Sequence, residues 1–380
     1  MMIIIVIVGL VALFIEFYYI LKPFSAVMHR NRDEKRNHVL YSDVLPSVSV
    51  IMSTRNNDRH LKAYLPLLLE QDYPKFEVVL VDEGSWDTTE DVVREMQKTY
   101  GDLLYYTKLP KDNRVLSPKK LAVTVGVKAA HNDVLLFIEP GTRPFSMYWI
   151  ERMVRNFITG TEFVLGLNLY NDNGKFIQHM IAYDTILKNL SFLGFAIMCK
   201  PYSGTGKNMA YLKSAFFDNN GYAGLLHMQD GEDKMMVNRH ATSINTRVES
   251  SVAGHTLDMD SLTYKEWRYV KLREMMVEDE FDPKSKTWLL GEPIARMIFV
   301  CMALLCVVLL PILRPSWWII GTAVMGGALL VKYICQIYVI NHTLKGFNQP
   351  KFWISPLFYD IYLPLSKAFI FTFIRIKKSI

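Results

Sequence analysis

Residues 2–20 are almost continuously apolar, broken only by Glu16, a run about long enough to cross a bilayer. Without a basic start or a small-residue cleavage site, it predicts an uncleaved anchor rather than a signal peptide. Two more apolar runs, 294–313 and 317–340, predict spans joined by a short turn at Arg314-Pro315-Ser316. A last run, 352–374, carries Pro356, Asp360, Pro364 and Lys367. Three preceding spans put Lys345 and Lys351 in the cytoplasm, and a fourth would export Arg375, Lys377 and Lys378. The pattern therefore predicts a helix-break-helix element lying in the cytoplasmic interface.

Between these runs, residues 40–285 alternate short β-branched stretches with helical periodicity. Residues 48–52, 76–81, 103–106 and 134–138 read as strands. Leu61, Leu65, Leu68 and Leu69 fall at helical spacing, and 88–96 and 119–130 predict two more helices. Such alternation predicts an α/β fold with parallel pairing and right-handed crossovers, whose ligands gather at the carboxyl ends of the strands. The polar groups there are Ser53-Thr54-Arg55-Asn56, Asp82-Glu83-Gly84-Ser85 and Glu139-Pro140-Gly141. The expected organisation is an anchor at 1–22, a domain at 40–285 and a membrane region at 290–380 with two spans plus an interfacial or re-entrant segment.

The chain has 380 residues, of which 51% are hydrophobic, which excludes disorder and leaves room for one large domain or two small ones. Its net charge of +6 matters less than its placement. Basic residues at 22–36 and 375–378 flank apolar runs, the mark of membrane ends on the cytoplasmic side. No aromatic-interleaved arginine pattern points to nucleic acid. Cys301, Cys306 and Cys335 lie in apolar runs, and no Cys/His spacing supports zinc or a disulfide framework. A reduced, cytosol-facing catalytic region fits this usage.

Taken singly, each polar loop is ordinary: Asp82 and Glu83 fit a turn, and Asp87-Thr88-Thr89-Glu90 fits a capped helix start. Their order and spacing are more specific. Pro46-Ser-Val-Ser-Val-Ile-Met-Ser-Thr-Arg-Asn56, Leu68-Leu-Glu-Gln-Asp-Tyr-Pro74 and Val81-Asp-Glu-Gly-Ser-Trp-Asp-Thr-Thr89 resemble the start of a membrane-bound, inverting family-2 glycosyltransferase. Ser117-Pro-Lys-Lys-Leu-Ala122, followed by Gly126, continues the likeness. Gly204-Thr-Gly-Lys-Asn-Met-Ala-Tyr-Leu-Lys-Ser-Ala-Phe-Phe217 and Gly231-Glu-Asp233 resemble that family's acceptor half.

The resemblance implies a GT-A-type doubly wound mixed sheet with N-terminal and C-terminal transmembrane helices, and a nucleotide-sugar donor bound at the strand ends. By position, Thr54, Asn56 and Asp82, with Glu83 beside them, are the implied nucleobase and ribose contacts. Lys119 falls near the implied diphosphate. Glu139-Pro140-Gly141 stands where similar members carry Asp-x-Asp, whose second carboxylate holds Mg²⁺ or Mn²⁺. Glu139 remains as a weak metal ligand, but glycine offers only a backbone carbonyl, so metal dependence is expected to be reduced or absent. An aspartate at position 141 is expected to restore metal affinity.

Asp233 is the implied general base and Glu232 its neighbour. Trp267, Lys271 and Arg273 match a family segment near the diphosphate, with Val270 in place of its glutamine. Arg143 and Lys207 are further candidate cations for the diphosphate or the acceptor. The implied acceptor is a membrane lipid, a lipid-linked group or a glycan, and the Gln-x-x-Arg-Trp signature of polymer synthases is absent. The implied protein is integral to the cell's inner membrane, with its catalytic domain in the cytoplasm. The alternative is a catalytically silent relative that serves as a binding or assembly subunit, because Gly141 removes a metal carboxylate.

Overall fold

A computed structural model describes residues 2–110, 117–313 and 318–378. The chain divides into two compact units: residues 30–173 with 195–262, and residues 1–29 with 174–194 and 263–380. The expected domain at 40–285 thus holds residues of both units. The chain leaves the sheet-bearing unit at 174, returns at 195 and leaves again at 263.

The first unit is built on β1 (Val48–Thr54), β2 (Phe76–Asp82), β3 (Leu104–Lys108), β4 (Val134–Phe137), β5 (Thr142–Pro144), β6 (Phe163–Gly166), β7 (Asn168–Tyr170), β8 (Met209–Leu212), β9 (Thr246–Glu249) and β10 (Thr256–Asp258). Seven strands form one sheet in the order β3-β2-β1-β4-β8-β6-β9, and β5-β10-β7 form a second. The first four strands, all expected from their apolar runs, pair in parallel. β8 runs antiparallel to both β4 and β6, which makes the sheet mixed. β1 and β2 read as unbroken apolar runs because helices cover both faces, and their central residues are fully buried. Gly126, in the helix Pro118–Ala129, lets that helix approach the sheet: a Cβ there would lie 2.9 Å from the Ile51 side chain.

The second unit is helical. Among the described residues, four helices are long and apolar enough to cross a membrane: Ile4–Lys35, Phe176–Ile197, Pro283–Cys306 and Ile319–Thr343. Phe176–Ile197 was not among the expected spans; it carries polar side chains, and most of its apolar window is buried. Gly194 on it approaches Pro23 so closely that a Cβ would overlap the Pro23 carbonyl.

The last helix, Ser355–Lys378, continues through Pro364, so the expected break is not present. It is not among the four helices above. The expected turn at Arg314-Pro315-Ser316 lies outside the described residues. Asp360 is buried, accepting hydrogen bonds from Lys332 Nζ at 2.7 Å, Arg296 Nη1 at 3.0 Å, Tyr183 Oη at 2.6 Å and Gln336 Nε2 at 3.0 Å. Lys332 also lies 3.0 Å from Glu16. The charges that looked out of place in apolar runs therefore answer one another inside the helix bundle.

Candidate active site

One end of the candidate site is made by the loops after β1 and β2, which end in register at Thr54 and Asp82. The Thr54 carbonyl accepts the Glu83 N–H at 2.9 Å. Asn56 has a left-handed φ of 52°, which asparagine tolerates. Its N–H donates to Ser85 Oγ at 2.8 Å, and its Oδ1 accepts the Trp86 N–H at 3.0 Å, so it braces the two loops.

Asp82 is fully buried. Its Oδ1 accepts from Gly84 N, Ser85 N and Ser85 Oγ at 3.0, 2.7 and 2.7 Å, and its Oδ2 from Tyr106 Oη at 3.0 Å. In this arrangement its carboxylate shapes the loop. The neighbouring carboxyl, Glu83, is half-buried; burial pushes it up to about 6, against the lowering effect of Lys119 and of a Ser53 hydrogen bond. Thr54 Oγ1 is buried and has no hydrogen-bond partner among the described residues, which leaves it for a ligand.

Ser117-Pro118-Lys119-Lys120 does two jobs at the start of the helix Pro118–Ala129. Lys119 Nζ donates to Glu139 Oε1 at 2.7 Å and lies 3.0 Å from Glu232 Oε1. Burial works against its charge, but Glu139, Glu232 and Asp233 together hold its ammonium well above the ordinary lysine range. Lys120 is buried and donates to the Met228 carbonyl at 2.6 Å, while Ser117 Oγ donates to the Gln229 carbonyl at 2.8 Å. These bonds fasten the loop that enters the helix Glu232–His240 through Gly231, whose φ of 85° suits glycine. Asp233 then stands in the first helical turn. Its Oδ2 accepts the Gly206 N–H at 2.6 Å and its Oδ1 the Lys234 N–H at 2.8 Å. Lys119, Glu139, Glu232 and Asp233 line one cavity together with Ser53 and Tyr222.

Gly141 has a reason in space. A Cβ there would lie 2.6 Å from Asp260 Oδ1. Asp260 follows β10, which runs antiparallel to β5 with Asp258 opposite Thr142, and the Met259 N–H donates to the Gly141 carbonyl at 2.9 Å. Asp260, more than a hundred residues downstream, thus places its carboxylate over Gly141. An aspartate at 141 would require the Asp260 side chain to shift. Asp258-Met259-Asp260 is itself an Asp-x-Asp pattern, the signal that a search confined to the β4 loop passes over.

Lys207 Nζ donates to Asp258 Oδ2 and lies 3.8 Å from Glu139 Oε2. His60 Nε2 is 3.6 Å from Asp260 Oδ1. A divalent cation needs oxygen ligands open to it. Here one Glu139 oxygen meets Lys119, the other faces Lys207, and Asp258 meets Lys207. Among the described residues no three His, Cys, Asp or Glu side chains are grouped to hold a metal ion. The protein side chains as arranged do not fit a resident divalent metal.

Arg143 lies opposite Leu257 in the β5–β10 pair, so strand alternation turns it away from the face of Thr142 and Asp258. It shares that other face with Phe145 and His255, whose rings stack at 4.3 Å. Arg143, expected as a cation for the diphosphate or the acceptor, thus lies on the opposite face of this strand pair from Thr142 and Asp258. Trp267, Lys271 and Arg273 belong to the helical unit. There Trp267 is buried and stacks on Tyr264, and Lys271 pairs with Asp184 at 2.5 Å and Glu274 at 2.9 Å.

Residues 49–218, which hold the strand ends, the Ser-Pro-Lys-Lys helix and the β4 loop, match the family model described as "Glycosyl transferase family 2". That match covers somewhat less than half of the chain. It is 31% identical over 137 residues to the glycosyltransferase AglE of Haloferax volcanii, a match covering 36% of this chain and 41% of AglE. The chain thus spans about two-fifths of the length of that curated relative. Among solved structures it is similar to the mannosyltransferase PcManGT from Pyrobaculum calidifontis, determined with GDP-Man and Mn²⁺. That likeness has a TM-score of 0.55 at 16% identity and covers 90% of this chain and 99% of the other. It shows the GT-A-type fold.

Proposed function

We propose that the protein is an inverting glycosyltransferase that moves a single sugar from a nucleotide-sugar donor to a membrane-associated acceptor, lipid-linked or glycan. The observation that carries this reading is Asp233, fixed by two backbone N–H groups in the cavity it shares with Lys119, Glu139 and Glu232. Its carboxylate takes the proton of the acceptor hydroxyl as that oxygen bonds to the anomeric carbon. The bond from that carbon to the diphosphate breaks on the opposite face, and the nucleoside diphosphate leaves with the electron pair. Thr54 and Glu83 contact the nucleoside, and Asn56 and Asp82 hold the loops that receive it. Lys119 offsets the charge of the departing diphosphate, so dependence on Mg²⁺ or Mn²⁺ is reduced. The apolar helices anchor the protein in the cell's inner membrane with the family 2 domain in the cytoplasm.

Asp233→Asn keeps the side chain's size and removes its basicity. Transfer is expected to fall about 100- to 10,000-fold while donor affinity, measured by calorimetry, stays within about twofold. Turnover at the normal rate would remove Asp233 from the role of base. Donor binding without transfer by the unmodified protein, over a broad acceptor panel, would instead favour a silent binding subunit.

A further inference from the structure

Glu139 is the one carboxylate left in the loop where similar proteins hold a metal, and its two oxygens meet two different ammonium groups. Oε1 accepts from Lys119 at 2.7 Å and Oε2 lies 3.8 Å from Lys207. Lys207 in turn donates to Asp258, beside Asp260, the carboxylate that fills the space over Gly141. We propose that Lys207 is a built-in replacement for the divalent cation, its ammonium bridging Glu139 and Asp258 and facing the diphosphate of the donor. This rests on the reading of the site as a nucleotide-sugar site.

The geometry explains three oddities at once. Lys207 lies between Glu139, just after β4, and Asp258 on β10, while Glu139 also meets a second ammonium, Lys119. Gly141 leaves room for Asp260, whose carboxylate lies where a side chain at 141 would begin. The carboxylates themselves remain although the loop's own Asp-x-Asp is gone, because each now balances an ammonium rather than a metal. An ammonium has three N–H donors, and two carboxylate contacts leave one for a phosphate oxygen. A fixed lysine also brings its charge without a metal-binding equilibrium, at the cost of a weaker monovalent field.

The test removes the ammonium and asks whether a metal takes its place. Lys207→Met keeps the length of the side chain and leaves Glu139, Asp258 and Asp260 without that charge. In the full chain, purified in detergent, Mn²⁺ titration followed by electron paramagnetic resonance is expected to reveal one saturable site in Lys207→Met. Neither the unmodified protein nor Lys207→Arg should show it, and Asp258→Asn in the Lys207→Met background should abolish it. Mn²⁺ should also raise the melting temperature of Lys207→Met alone, which reads the site even where the variant is destabilised. UDP and GDP binding should be insensitive to EDTA in the unmodified protein and become Mn²⁺-dependent in the variant.

A saturable Mn²⁺ site in the unmodified protein that Glu139→Gln removes would overturn the proposal. So would a folded Lys207→Met that binds no Mn²⁺. Failure of the donor reading is seen separately, as absence of binding by any nucleoside diphosphate with or without metal, whatever the Mn²⁺ titrations give.

Discussion

Glu83 and Asp82 are adjacent, yet the fold treats them in opposite ways. Asp82 is sealed by four hydrogen bonds, while Glu83 keeps a carboxyl that burial raises from 4.5 to about 6. A carboxyl with a raised folded value favours the protonated form, so it adds no penalty below pH 4.5. Its cost grows as pH rises from there and is complete above about 6. Glu83→Gln is therefore expected to stabilise the protein by about 1–2 kcal/mol at pH 7.5 and by nothing at pH 4.5. Thermal melts of the two proteins at both pH values check this, and an equal gain at both would show that the carboxyl's charge is not the cause. At this scale the sequence pointed to the loop and to both carboxylates, but not to their different surroundings. Which of two neighbours faces inward depends on where Tyr106 arrives from β3.

Single elements show the same division. The helix Pro118–Ala129 was legible from its Pro-Lys-Lys start, but only packing reveals that Lys119 enters the cavity while Lys120 fastens the Asp233 loop. The helix Ser355–Lys378 runs the other way. Its Asp360 and Pro364 argued for a break, and the structure keeps it whole because Lys332 and Arg296 on other helices meet that charge. Removing Asp360 leaves two buried cations with only Glu16 and Glu292 as counter-charges. Asp360→Leu is expected to cost about 3–5 kcal/mol, read as a large loss of thermal stability in detergent. A change within about 1 kcal/mol would mean that the network contributes little to holding these helices.

For the whole molecule, four apolar helices and basic residues flanking them bear on orientation. Lys22 to Arg36 follow the first apolar run, so the family 2 domain is expected on the cytoplasmic side. Val44, an exposed residue, is a convenient probe. Val44→Cys, with the four native cysteines replaced, should react with a membrane-impermeant maleimide only after the cells are opened. Labelling of intact cells would reverse the orientation. The division of the chain was less legible than its chemistry. Residues 174–194 are helical and apolar enough to span, yet they interrupt the sheet-bearing unit in sequence, and no local pattern states which unit a buried helix joins.

By itself the sequence determined what is local. The first four strands, their parallel order and the helices between them follow from short apolar runs and helical spacing, because burial on both faces of a sheet writes itself into consecutive residues. The motifs around Lys119 and Asp233 were likewise readable as strings. The tertiary structure alone decided what depends on distant chain segments meeting. It brought Asp258 and Asp260 to the β4 loop, gave Gly141 its steric reason, turned Arg143 away and set Lys207 between two carboxylates. Those facts rest on the pairing of β10 with β5, and strand pairing across more than a hundred residues leaves no periodicity in either strand from which it can be read.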